Sequence, residues 1–488
     1  MTTYLEPAPS PGDLGGELAT APWARPRQRG FFLKRVDEYW PLTTFFYLYP
    51  LWWVLGFSKL ILFVLAVPMF WQLARHRDLR VPRGFGIYLL FLAWVALGIT
   101  MLWVRAPGTD PKTGLGPLVG FGFRTLWYAS VTIACVYVLN ASRARLSATR
   151  VIRMLGFLFV ITTIGGLLGV LAPNLNFPSF LELFLPSSFT NQEFMNALFH
   201  PRIALQSDFL GVSQPRATAP YSYPNTWGNA YGLLIPFFIV AWCGPTAGWR
   251  RWLAPIILLV SIAPVVYSLN RGLWLGLAVS AIWVVLRRLM AGDFRALIGV
   301  VAATTVLGVT LVITPLGNTI ALRVATPHSD ERRQDTASEV LRTTLEASPI
   351  LGYGSTRQKT GNYNSLAGGG VPGCHQCSAP PLGTQGFLWG LVFMTGFVGA
   401  FLMVSFLLWQ FQLNARRTTA LGLLASTVLV SSIFYFLFYD SLDVPMLVAM
   451  MVIGLSTRDH ALTATRRSEL LQPHWDPRLK KSSLGGHR

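Results

Sequence analysis

SDERRQDTASEVLRTTLEASPILGYG, residues 329–354, is a polar, arginine-bearing run in a chain that otherwise reads as one membrane span after another. Its spacing predicts a short helix. Ser329 stands at the N-cap, with Asp330 and Glu331 in the first turn, where the helix dipole favours acids. Pro349, Gly352 and Gly354 supply the stop. The run sits in a loop of about 70 residues, 315–384, and a bilayer protein seldom carries so large a loop on a face that binds nothing.

The 488 residues are 52% hydrophobic, 13% aromatic and 12% charged, with mean hydropathy +0.46. A soluble domain carries about 25% charged residues. Apolar runs able to cross roughly 30 Å of hydrocarbon fall near 42–57, 58–75, 84–104, 117–140, 151–172, 226–243, 252–269, 272–288, 294–314, 386–411, 418–438 and 441–457. The alternating segments of an outer-membrane barrel are absent. The expected fold is all-α: a polytopic transmembrane helical bundle of about twelve spans with a large, partly helical extracytoplasmic loop.

A net charge of +19 invites a nucleic-acid reading, but its placement argues against one. With twelve spans, 27 of the 40 Lys and Arg residues fall on one side, spread over all seven segments there. Basic residues favour the cytoplasmic side, which puts both termini inside and the loops 173–225 and 315–384 outside. Residues 1–41 read as a flexible basic cytoplasmic segment, 42–457 as the transmembrane domain and 458–488 as a basic cytoplasmic tail, both ends close to anionic lipid. The first 40 residues hold no apolar leader, so no cleaved signal peptide is expected. No internal repeat and no soluble catalytic domain is visible.

Several cations stand where a bilayer penalises them. An Arg near a span centre costs about 2.5 kcal/mol or more. Arg124 lies seven residues inside its span, roughly 10 Å deep. Arg271 opens another span. Both point to a polar cavity open to the outer face, whereas Lys59 and Arg105, at span ends, fit snorkelling to headgroups. The outer loops add Arg202, Arg216, Arg323, Arg332, Arg333, Arg342, Arg357 and Lys359. In the 329–348 helix, Arg332, Asp335, Glu339 and Arg342 share one face and can neutralise one another. Arg333 instead borders the stripe of Ala337, Val340, Leu341 and Leu345 expected to press on the membrane domain.

Such cations suit a ligand with an anionic head and a lipid tail. Arg donates several directed hydrogen bonds to phosphate oxygens and keeps its charge at any working pH. A lipid-linked pyrophosphate fits. In glycosyl transfer from it the departing diphosphate gains negative charge, which preplaced Arg groups stabilise with no metal or other cofactor. An acceptor hydroxyl also calls for a base, for which His328, Asp330, His375, Asp440 and Asp443 are candidates. Of the four cysteines, Cys135 and Cys243 read as small apolar residues. Cys374 and Cys377, in CHQC, are open to a disulfide, to free thiols, or to metal or redox work beside His375.

Four segments resemble the O-antigen ligase and O-antigen polymerase superfamily, bacterial polytopic enzymes of the GT-C type. PRATAPYSYPNTWGNAYGLLIPF (215–237) looks like its Arg, Pro-Asn, span pattern, and NRGLWLG (270–276) like its Ser-Arg-Gly-x-Trp span start. ERRQDTASEVLRTTLEASPILGYG (331–354) resembles its loop helix ending in Pro-x-x-Gly-x-Gly, and GTQGFLWGLVFMTGFVGA (383–400) the span that follows. YPLWWVLGF (48–56) is compatible. The resemblance implies a membrane glycosyltransferase moving a glycan from an undecaprenyl-pyrophosphate-linked donor to a glycan or lipid-glycan acceptor, at the outer face of the cytoplasmic membrane. It matches Arg216, Arg271 and Arg333, or Arg332 in a shifted register, to the family's diphosphate-binding Arg positions. Arg124 and Arg342 join them as donor-binding candidates from their placement. The family often opens the returning span with His-Asn. Gln385-Gly386 stands there in this chain, which leaves Gln385 at the catalytic position and His375, ten residues upstream, as a substitute. A transporter or flippase for a lipid-linked or anionic substrate also fits twelve spans and a cationic cavity, but no duplicated halves are found. A membrane sensor or scaffold leaves Arg124 unexplained.

Overall fold

The structure is a computed structural model that describes residues 37–186, 193–208, 213–313, 317, 328–360 and 381–471. His375, Cys374, Cys377 and Arg323 lie outside the described residues, as do the side chains of His328, Asp330 and Arg332. The chain divides into a unit of residues 1–40 and one of residues 41–488, and the helical bundle belongs to the second.

Every apolar stretch named above folds as helix. The first breaks into α1 (Trp40–Tyr47) and α2 (Tyr49–Val54), with Pro50 in the first turn of α2. There follow α3 (Ile61–Ala74), α4 (Phe85–Leu97), α5 (Gly116–Asn140) and α6 (Ala148–Leu171). Ser147 caps α6, its side chain accepting from the Arg150 amide at 3.2 Å. The expected loop 173–225 carries structure of its own, α7 (Glu193–Phe199) and an antiparallel hairpin of β1 (Ala204–Asp208) and β2 (Ser213–Ala217), in register Leu205↔Arg216. Next come α8 (Pro224–Phe238), α9 (Arg250–Val260), α10 (Ile262–Tyr267), α11 (Arg271–Leu289), α12 (Arg295–Ile313) and the loop helix α13 (His328–Ala347). The last three are α14 (Phe387–Ala415), α15 (Ala420–Tyr435) and α16 (Val444–Leu471).

Among the described residues six helices are long and apolar enough to cross a membrane: Gly116–Asn140, Ala148–Leu171, Pro224–Cys243, Arg250–Tyr267, Arg271–Leu289 and Phe387–Ala415. The chain is a helical membrane protein with little sheet. Others are shorter; the 14 residues of α3 rise about 21 Å, less than the roughly 30 Å of a bilayer core.

α16 packs along α5, α6 along α8, and α14 between α4 and α15. Polar side chains bridge these helices: Trp227 Nε1 donates to the Thr162 carbonyl at 2.9 Å, Asn229 Nδ2 to Ser441 Oγ at 2.9 Å, and Ser280 pairs with Ser431 at 2.6 Å. Such bonds hold helices together where apolar contact alone gives no preference over lipid.

Two departures concern α13. It begins at His328, so Ser329 stands inside its first turn rather than before it. Its buried face is Thr336, Val340, Thr343 and Thr344, while Leu345 is exposed. The side chains that touch the bundle are small, which lets the helix approach closely.

The segment after α13 enters a break in α14. Gly396 has φ 66 inside that helix, which interrupts its hydrogen-bond ladder. Residues 349–354 restore the bonds: Tyr353 N donates to Phe393 O, Gly354 N to Met394 O, and Phe397 N to Pro349 O, at 2.8–2.9 Å. Gly352 (φ 66) and Gly354 (φ 68) make this close passage. Pro-x-x-Gly-x-Gly thus docks the loop helix to a broken helix of the bundle.

Candidate functional site

The connections gather in two groups. In one, Phe387 N donates to Tyr439 O and Leu388 N to Phe436 O, so α14 starts against the 436–443 hairpin. Asn229 and Lys59 reach the same hairpin at Ser441 and Asp443. Lys59 is therefore paired with a buried carboxylate, not snorkelling. Asp443 also accepts from the Val444 amide at 2.8 Å.

Arg216, on β2, is 8% exposed. Its Nε donates to the Ser268 carbonyl at 2.7 Å, and its Nη2 bonds Asn270 and reaches Asn225 at 3.4 Å. Asn270 in turn donates to Pro224 O at 2.9 Å. These bonds clamp the 268–270 turn, where Leu269 holds φ 53, a strained value for a branched residue. Arg271, half-buried, is the first residue of the helix that leaves this turn.

Tyr439 lies on the other side of that turn. A Cβ on Gly272 would come within 2.7 Å of its hydroxyl. Burial pushes the Tyr439 phenol up from its usual range, and the charges of Arg333 and Arg216 act against that shift. Both guanidinium groups are thus within electrostatic reach of one buried phenol. Arg333 is half-buried and one helical turn before Thr336 on the buried face of α13. The charges of Arg124 and Asp440 likewise both act on Tyr128, one turn after Arg124 on α5. Arg124 Nη1 is buried with no hydrogen-bond partner among the described residues, an orphan donor that needs an explanation. Asp440, exposed, follows Tyr439 directly and accepts from the Leu442 amide at 3.2 Å.

Neither a family model nor a curated protein matches this chain.

The charges of Arg216 on β2 and Arg333 on α13 thus reach the 436–443 hairpin at Tyr439, and Gly272, next to Arg271, abuts the Tyr439 hydroxyl. Arg342 does not join them; its side chain is 72% exposed and stands 3.9 Å from Glu346. Glu339, placed by phase with Arg332 and Arg342, pairs with Lys359 instead. Arg202 is bonded to Asn196 and exposed Arg105 donates to Thr109 O at 3.2 Å. Gln385 is half-buried in the strap leading to α14, and the next residue, Gly386, backs onto the Leu437 carbonyl of the hairpin. Arg357 is 1% exposed and bonded to carbonyls of 353–356 and 101–104, so it braces the loop. Asn270 and Tyr439 escaped the sequence reading. Their only signals were the residue before Arg-Gly and an aromatic in a tight polar hairpin. Among the described residues no group of three His, Cys, Asp or Glu side chains is set to hold a metal ion.

Proposed function

We propose that this chain is a glycosyltransferase of the ligase or polymerase kind, moving a glycan from an undecaprenyl-pyrophosphate donor to an acceptor hydroxyl. Its twelve spans would lie in the cytoplasmic membrane, with both termini cytoplasmic and the site at the outer face. The observation that carries the reading is that the charges of Arg216 and Arg333, from distant parts of the chain, both act on Tyr439, whose hydroxyl abuts Gly272 next to Arg271, and that the charges of Arg124 and Asp440 both act on Tyr128. No carboxylate pairs with Arg124 or Arg333 among the described residues, so an anionic ligand meets cations already in place.

In this reading the acceptor oxygen forms a bond to the anomeric carbon while the bond to the diphosphate oxygen breaks. Arg271, Arg333 and Arg124 stabilise the charge that collects on the leaving group, and Arg216 holds the turn that presents Arg271. Asp443 is engaged by Lys59, which leaves Asp440 as the hairpin carboxylate positioned to take the acceptor proton; Gln385 and His375 border the same region in the sequence.

The test is transfer in vitro by purified protein from a synthetic polyprenyl-diphosphate oligosaccharide. Arg271→Ala and Arg333→Ala should each lower the rate by about a hundredfold or more. In cells a polymerase defect leaves single repeat units, a ligase defect leaves unattached lipid-linked polymer, and a transporter defect traps donor on the inner leaflet. Wild-type transfer by both variants at normal protein level overturns the reading.

A further inference from the structure

At the far end of α14 from the 436–443 hairpin, four basic side chains surround a cavity of about 310 Å³. Arg80 and Arg83 come from the connection between α3 and α4, Arg417 from the turn between α14 and α15, and His460 from α16. Leu139 and Leu413 form its apolar wall.

The walls are fixed by their backbones. Arg80 N donates to Asn140 Oδ1 and Asn140 Nδ2 to Arg80 O, both at 2.8 Å. Gln410 Nε2 donates to Arg83 O at 2.6 Å. Arg417 Nη1 donates to Asn414 Oδ1 at 2.9 Å and to Ser456 O at 2.8 Å.

The charge within is only partly offset, since Asp459 acts on both Arg417 and His460. Arg80, Arg83 and Arg417 form no ion pair among the described residues. Asp459, the acid next to His460, is taken by Arg143. Burial, then the charge of Arg83, pushes the Arg417 guanidinium down from its usual value, with Asp459 opposing. Burial and the charges of Arg417 and Arg83 likewise lower the His460 imidazole. Like charges gathered on rigid walls repel unless an anion sits among them.

We propose that this cavity is a phosphate-binding site, taking either a free phosphate or the phosphate of an anionic phospholipid whose chains run along Leu139 and Leu413. Arg forks match phosphate oxygens, and the separate origin of the four side chains makes the ligand a tie between two connections and α16. The site is distinct from the arginine cluster at the hairpin and does not depend on its function.

The test uses full-length protein in detergent, with thermal shift and native mass spectrometry. The probes are inorganic phosphate, phosphatidylglycerol and phosphatidylcholine. Arg80→Gln with Arg83→Gln is the informative variant, because neither side chain has another bond among the described residues to lose. Binding of phosphatidylglycerol, weaker by about tenfold or more in the double variant, with no response to phosphate, supports the lipid source. Binding of inorganic phosphate with the same loss supports the soluble source. Binding of neither anion to the wild type, binding of phosphatidylcholine equal to phosphatidylglycerol without a phosphate response, or equal affinity in the double variant overturns the proposal.

Discussion

Arg357 donates to the carbonyls of Ser355, Met101, Leu102 and Tyr353, at 2.7–3.2 Å, rather than to any carboxylate. Burial lowers its guanidinium from the usual value, with Tyr353 acting against the shift. A planar fork with five donors can join two chain segments in this way; an ammonium group cannot reach both sets. Arg357→Lys should therefore destabilise the protein by about 2 kcal/mol or more. Arg342→Gln, at an exposed position, should change stability by less than about 0.5 kcal/mol. Thermal unfolding in detergent checks both, and equal effects would contradict the distinction. In the sequence the two arginines look alike, both being outer cations fifteen residues apart. Burial separates them, and burial at a loop position depends on chain segments more than 250 residues away.

The break in α14 and the segment that fills it form one device. A Cβ on Gly396 would lie 2.1 Å from Ile350 O, and one on Gly352 would lie 2.6 Å from Gly396 N. Positive φ adds about 1–2 kcal/mol for any L side chain, before the clash. Gly396→Ala and Gly352→Ala should each detach residues 349–354, which would reduce the yield of monodisperse protein on size exclusion and expose the 328–347 helix to limited proteolysis. Normal yield with unchanged protease resistance would show that the docking is not needed. The helix itself was legible, since polar and apolar residues alternate at helical spacing and Pro349 ends it. Its phase was not. Leu345 is the more apolar residue, but Thr343 and Thr344 are the ones buried, because close packing selects size there. The kink was also hidden, as φ 66 at one of 44 glycines leaves no mark in composition.

Arg80 with Asn140, Arg143 with Asp459, Gln410 with Arg83 O and Arg287 with Arg417 O tie together connections that carry 13 of the 40 Lys and Arg residues. The 102–104 and 353–357 segments, the 268–271 turn and the 436–443 hairpin gather at the other ends of the same helices. The Lys and Arg counts point to the same two groups on the expectation that each apolar stretch crosses the bilayer once. Span lengths were less readable: the break at Leu48 and the short α3, α4 and α15 leave six helices among the described residues that meet the length and hydropathy of a crossing. The positive-inside tendency predicts an orientation, and that prediction can be measured. In a background with Cys135 and Cys243 changed to Ala and Cys374 and Cys377 to Ser, Thr113→Cys and Thr418→Cys sit in exposed connections of opposite groups. A membrane-impermeant maleimide should label Thr113→Cys in intact cells and Thr418→Cys only after permeabilisation. The reverse pattern would turn the protein over and put the arginine cluster on the cytoplasmic face, where a lipid-linked donor would have to be used before it is flipped. Labelling of both in intact cells would mean that the two groups share a side, which α14, 29 residues long and running between them, forbids if it crosses the bilayer.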